Sequence, residues 1–175
     1  MKNHTTNFYI RILLVSVLVC FCFAKPVSGY STDGLNEAES PYVTLTICHV
    51  LLEPLQPGKS ISNILMEQCG TSSQLTLFGL NTTYLIANFY DNINYGTELI
   101  YYYGSYMCSS SISYGVSQVS ASVDNRISSG SGYSGCNNIF VYDLANYAGD
   151  SASCFANCSS FGALNDRVSS WKVTN

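Results

Sequence analysis

The chain has 175 residues, with 7 basic and 11 acidic side chains, a formal net charge of −4 and an isoelectric point near 4.9. An acidic, lysine-poor surface lacks the basic patch that nucleic acid and anionic membranes need for counterion release, so neither is an expected partner. The balance is compatible with a cation, and equally with acidity that only keeps a chain of 14 tyrosines soluble.

The first segment reads as an address. Lys2 and Arg11 flank a polar start, residues 12–24 are an apolar run, and small residues follow at Ala24 and at Val27-Ser28-Gly29. This pattern predicts a signal peptide over residues 1–29, cleaved after Ala24 or Gly29, and a secreted, extracellular protein. The run is too short and too early for a membrane span; a membrane anchor is the alternative. Cleavage after Gly29 leaves Lys59, Arg126, Arg167 and Lys172 against eleven acids, a formal balance of −7. It also removes Cys20 and Cys22, leaving Cys48, Cys69, Cys108, Cys136, Cys154 and Cys158, an even set that predicts disulfides. Fifteen pairings are open. Zinc is disfavoured, because Cys154 and Cys158 have no second close pair and no histidine nearby.

Residues 30–41 are polar and mixed, a loose terminus. Residues 43–47 alternate apolar and threonine with period two, which predicts a strand. Pro54 and Pro57-Gly58 break the chain, and residues 61–66 fit either a short helix or a strand. Aromatic and β-branched runs predict strands over 75–80, 83–90, 99–103, 139–142 and 168–173, divided by Gly, Ser, Asn and Asp. Residues 109–122, serine alternating with Ile, Tyr and Val, read as an exposed strand and loop. No helical period persists, so the chain is all-β, a sandwich or barrel.

One phrase occurs twice. Asp124-Asn125-Arg126-Ile127-Ser128-Ser129 and Asn165-Asp166-Arg167-Val168-Ser169-Ser170 share the pattern [Asn/Asp][Asn/Asp]-Arg-[Val/Ile]-Ser-Ser. Ahead of them, Tyr90-Asp91-Asn92-Ile93-Asn94-Tyr95-Gly96-Thr97-Glu98 and Tyr142-Asp143-Leu144-Ala145-Asn146-Tyr147-Ala148-Gly149-Asp150 align without a gap. A repeat of about forty to fifty residues marks one supersecondary unit used twice.

Tyr142 to Gly149 followed by Asn165 to Ser170 resembles the Greek-key motif of the βγ-crystallin family in its calcium-binding form. The first key departs, with Thr97 where the family has glycine. The resemblance spans about residues 83–175 and implies a two-sheet Greek-key sandwich, with keys near 81–132 and 133–175 preceded by a β-rich extension over 30–80. Asn94 and Asn146 are expected in the left-handed region of a tight hairpin. Tyr95 and Tyr147 are expected to fold over that hairpin and cover the core. The extension is expected to be tied to the sandwich by its cysteines, as an extra strand or edge cover.

The resemblance further implies about two calcium ions, each held jointly by both keys. The candidate oxygens are the backbone carbonyls of Arg126 and Arg167, the hydroxyls of Ser128 and Ser169, and the hairpin acids Glu98 and Asp150. Asp124, Asn125, Asn165 and Asp166 shape the loops and add oxygen. Calcium favours six to eight hard oxygen ligands, and so few carboxylates per site place the affinity in the micromolar to millimolar range. The same Asx and Ser residues could instead only satisfy turn backbone. Asp91 and Asp143, at equivalent positions, read as hairpin structure. No catalytic constellation emerges, since His49 stands beside Cys48 and outside the repeat, so a non-enzyme is expected. Asn81 and Asn157 begin glycosylation sequons, the second containing Cys158. The expected function is a secreted calcium-binding structural or stress-related domain stabilised by the ion. A toxin, antimicrobial or protease inhibitor on the same scaffold is the alternative, and a matrix or coat component, suggested by the tyrosine content, a third. A protein or cell-surface partner is not specified by the sequence.

Overall fold

Ten strands, in two sheets, make up the computed structural model, which describes residues 46–71 and 83–175. The leader segment, residues 43–45 of the first predicted strand, the strand predicted over 75–80 and Asn81 lie outside the described residues. The strands are β1 (Ile47–Leu52), β2 (Ile64–Gly70), β3 (Tyr84–Asn92), β4 (Gly96–Gly104), β5 (Tyr114–Val116), β6 (Ser129–Gly132), β7 (Asn138–Leu144), β8 (Ala148–Phe155), β9 (Asn157–Cys158) and β10 (Ser170–Thr174). The only helical segments among the described residues are two 3-10 turns, so no helix there is long and apolar enough to cross a membrane.

One sheet runs β2-β1-β4-β3-β6-β9 and the other β5-β10-β7-β8. The exchange of short strands explains the repeat: each key supplies three strands to its own sheet and lends its fourth to the other. β5 of the first key pairs with β10, and β9 of the second pairs with β6. The fold is therefore βγ-crystallin-like. Alternation decides what lies between the sheets. Ile139 and Val141 of β7 and Trp171 and Val173 of β10 are buried, and Trp171 meets Tyr102 edge-on at 4.4 Å and Phe89 at 5.3 Å between centroids. Residues 114–116 are buried on all three positions, not exposed as their serine-rich context predicts, because the second sheet claims them as its own edge strand.

The extension belongs to the core. Of the two readings of residues 61–66, the strand holds, as the start of β2. β1 lies parallel to β4, from Cys48 opposite Ile100 to Leu52 opposite Gly104, and buries Cys48, Val50 and Leu52. Full burial of such side chains contributes about 1.5–3 kcal/mol each. The loop after β1 then crosses to the other sheet: Leu55 N–H donates to Ser113 O (2.9 Å) and Ser62 N–H to Gly115 O (2.8 Å), closing the outer edge of β5. The cysteines do not make this attachment, contrary to expectation. Cys48–Cys69 joins β1 to β2, Cys108–Cys136 joins the two keys, and Cys154–Cys158 joins β8 to β9. Strand pairing, which depends on register, does the docking.

His49 shows the same contact from outside. Its ring is 5.0 Å from Tyr101 and 5.7 Å from Tyr103, on β4. Burial pushes the imidazole below its ordinary 6.5, with Glu98 pulling the other way. The unfolded chain then binds more protons below about pH 6.5, so this stability is complete above that value and falls as pH drops through it toward the folded-state pKa. Urea midpoints are expected to fall between about pH 7.5 and 5.5. His49→Gln should flatten that slope; an unchanged slope would remove His49 as its cause.

Candidate metal centre

The two hexapeptides lie against each other about a pseudo-twofold axis, and the backbone contacts between them occur twice. Asn125 N–H donates to Val168 O (3.2 Å) and Asp166 N–H to Ile127 O (3.1 Å). These donors sit at the second hexapeptide position, where both residues are left-handed, with φ of 59° and 57°. Asn and Asp tolerate that region better than other non-glycine residues. Ser128 N–H donates to Tyr90 O and Ser169 N–H to Tyr142 O, both at 2.9 Å, which fixes each hexapeptide to its own hairpin.

The side chains then cross. Ser128 Oγ donates to Asp166 Oδ1, and Ser169 Oγ donates to Asp124 Oδ1, each at 2.6 Å. A hydroxyl from one key thus faces a carboxylate from the other, twice. The two acids stand at different hexapeptide positions, second in one and first in the other. Asn165, where the first key has Asp124, is occupied otherwise: its Oδ1 accepts from Phe161 N–H (2.9 Å) and Ser160 Oγ (3.1 Å). Asn125 turns its amide to Asp124 Oδ2 at 3.3 Å.

The hairpin acids lie elsewhere. Glu98 is exposed on β4, with its carboxylate facing the Tyr101 hydroxyl, whose pKa is raised first by burial and then by this acid. Asp150 is paired with Arg167 at 3.3 Å. Arg167 reaches Asp143 at 2.6 Å, and Arg126 forks onto Asp91 with both bonds at 3.0 Å. Each arginine also donates to a carbonyl four residues back, Ser122 O at 2.9 Å and Ala163 O at 3.2 Å. The arginines therefore brace hexapeptide to hairpin with their side chains, which leaves only their carbonyls as candidate ligands.

The second serine of each phrase, to which the sequence reading gave no role, is fully buried. Ser129 Oγ donates to Asn92 O (2.6 Å) and accepts from Tyr95 N–H (3.1 Å); Ser170 Oγ donates to Leu144 O (2.6 Å) and accepts from Tyr147 N–H (3.0 Å). The signal was the repeat itself, which keeps Ser at that position in both copies. Asn94 and Asn146 are left-handed as expected, and so are Tyr95 and Tyr147 after them. Those tyrosines fold back edge-on to Tyr90 and Tyr142, each at 5.6 Å, though Tyr95 stays more than a third exposed. Tyr147 is held further by the Ser60 carbonyl at 2.7 Å and by the Lys172 ammonium 3.8 Å from its ring centre.

The donor set is two hydroxyls, two carboxylates and nearby backbone carbonyls. All are hard oxygens, the chemistry that suits calcium and not softer metals. Cys48, Cys69 and Glu67 also converge, but those sulfurs are joined in a disulfide.

No family model matches the chain, and no curated protein matches it. Solved structures similar to it include a βγ-crystallin domain from Clostridium beijerinckii, 23% identical over 51% of this chain and 97% of that one, with a TM-score of 0.37. A double mutant of clostrillin in complex with nickel is 23% identical over 51% and 98%, with a TM-score of 0.38. A βγ-crystallin from an Archaea is 15% identical over 51% and 96%, with a TM-score of 0.36.

Proposed function

We propose that this βγ-crystallin-like chain is a secreted, non-enzymatic calcium-binding protein whose fold is stabilised outside the cell by about two ions. The observation that carries the reading is the doubled crossing of Ser128 with Asp166 and Ser169 with Asp124. Each pair joins the two keys, so an ion bound there holds the halves of the sandwich together. Ser128, Asp166, Ser169 and Asp124 would hold the ions through their side chains, and Arg126 and Arg167 through backbone carbonyls. Asp150 could join only by leaving Arg167. The ion supplies a positive charge between oxygens that now satisfy each other.

An ion that binds only the folded state stabilises it by about 2.7 kcal/mol at a hundredfold excess over Kd. Calorimetric titration of the oxidised protein with calcium is expected to reveal weak sites that vanish in Ser128→Ala plus Ser169→Ala. Chelator is expected to lower the melting temperature of the parent protein and leave that of the double variant unmoved. A flat titration of folded parent protein would leave the hexapeptides as turn chemistry alone.

A further inference from the structure

The turn from β8 to β9 holds three features that neither the core nor the metal centre uses. Phe155, the last residue of β8, is 71% exposed, more than any other large apolar side chain among the described residues. Ala156 is left-handed, with φ of 60°, a region that alanine pays to enter. Asn157 and Ser159 are exposed, and neither side chain makes a hydrogen bond among the described residues. The backbone of the same turn is fully engaged. Gly132 N–H donates to Ala156 O (2.7 Å), Asn94 N–H donates to Ser159 O (2.7 Å), Asn157 pairs with Ser131, and Cys154–Cys158 closes the turn covalently. A fixed turn thus presents a free amide, a free hydroxyl two residues after it and a bare phenyl ring two residues before it.

From this geometry we infer that Asn157 is an N-glycosylation acceptor and that Phe155 is the surface on which its first sugar packs. Asn157-Cys158-Ser159 has the Asn-x-Ser spacing of such an acceptor. The acceptor meets its sugar donor, a lipid-linked oligosaccharide, only in a secretory lumen, so the site rests on the secreted reading proposed above. In the transfer Asn157 Nδ2 bonds to the anomeric carbon, the lipid diphosphate leaves from that carbon, and the amide gives up one proton; nothing is oxidised or reduced. Transfer requires Asn157 and Ser159 to enter an enzyme cleft together. A segment paired to β6 and bridged across four positions cannot do so, which places transfer before closure of Cys154–Cys158 and sets the two reactions in competition. After folding, the C–H face of a pyranose on Asn157 has the phenyl face of Phe155 two residues away, and covering that ring removes apolar surface from water. The glycan also stands on β9, the outer strand of the six-stranded sheet, where its bulk blocks addition of a further strand.

Expression of the full chain, with its own leader, in a host that N-glycosylates secreted proteins tests this. Mass spectrometry of the secreted protein is expected to find a glycan on residue 157 that peptide N-glycosidase releases, and Asn157→Gln to lose that glycan while still reaching the medium. Occupancy is expected to be incomplete in the parent and to rise in Cys154→Ser; equal occupancy in the two would remove the competition with the bridge. The glycosylated parent should melt above Asn157→Gln, and in a Phe155→Ala background most of that shift should vanish. A shift that survives Phe155→Ala would remove the phenyl ring as the packing surface. Secreted protein unmodified at Asn157 would overturn the acceptor and leave secretion standing, whereas a chain kept in the cytosol without a glycan would overturn both.

Discussion

Gly149→Ala is expected to destabilise the domain by roughly 3 kcal/mol, the larger part from a steric conflict specific to the second key. Gly149 has φ +77°, where any side chain costs about 1–2 kcal/mol. An added Cβ there would also collide with Asp143 Oδ1 and stand 2.9 Å from Leu144 Cγ. Asp143 cannot yield freely, because its other oxygen accepts from Arg167 at 2.6 Å. Displacing it breaks the brace between hairpin and hexapeptide. Arg167 is nearly half exposed, so the brace itself counts for less than a buried pair. Urea unfolding measures the total, and a double-mutant cycle with Asp143→Ala divides it: in that background only the backbone part and the contact with Leu144 should remain. A full cost that persists without Asp143 would place the conflict elsewhere. The first key shows that the geometry is imposed by the hairpin, since Thr97 at the equivalent place also takes φ +56°, its hydroxyl held by Asn92 Nδ2 at 3.1 Å.

Adjacent serines should behave oppositely. Ser170→Ala is expected to cost about 1–2 kcal/mol with or without calcium, because it strips both Leu144 O and Tyr147 N–H of the buried hydroxyl that joins them at the hairpin end. Ser129→Ala should do the same through Asn92 O and Tyr95 N–H. Ser169→Ala removes only the donor to Asp124, a partly buried acid that water can reach, so its cost in chelator should stay below about 1 kcal/mol. In calcium the Ser169→Ala deficit should grow, while that of Ser170→Ala should not. Paired denaturant curves in calcium and in chelator give both numbers. Equal calcium dependence in the two variants would erase the division of labour between metal oxygen and hairpin staple.

Those two serines show how far the sequence reached. The repeat, the left-handed asparagines and the alternation in β7 and β10 are local properties, so residues 83–175 were legible as two keys before any coordinates. The resemblance carried by that repeat pointed to Ser128, Ser169, Asp124 and Asp166, which the fold brings together in crossed pairs. Glu98 and Asp150 share a repeat position yet meet different partners, Tyr101 in one key and Arg167 in the other, because a strand position does not say which neighbour a long side chain reaches.

What the sequence determined by itself is the content of each key, since hairpin conformation and strand period depend on residues a few positions apart. Tertiary structure alone decided which key's serine faces which key's acid, which cysteines pair, that residues 114–116 are buried, and that β1 enters the core beside β4. All of these follow from strands crossing between sheets and from a parallel pairing that links residues some fifty positions apart, such as Cys48 and Ile100. The register of such long-range pairs is selected by the packing of the whole sandwich, and no short stretch of sequence encodes it.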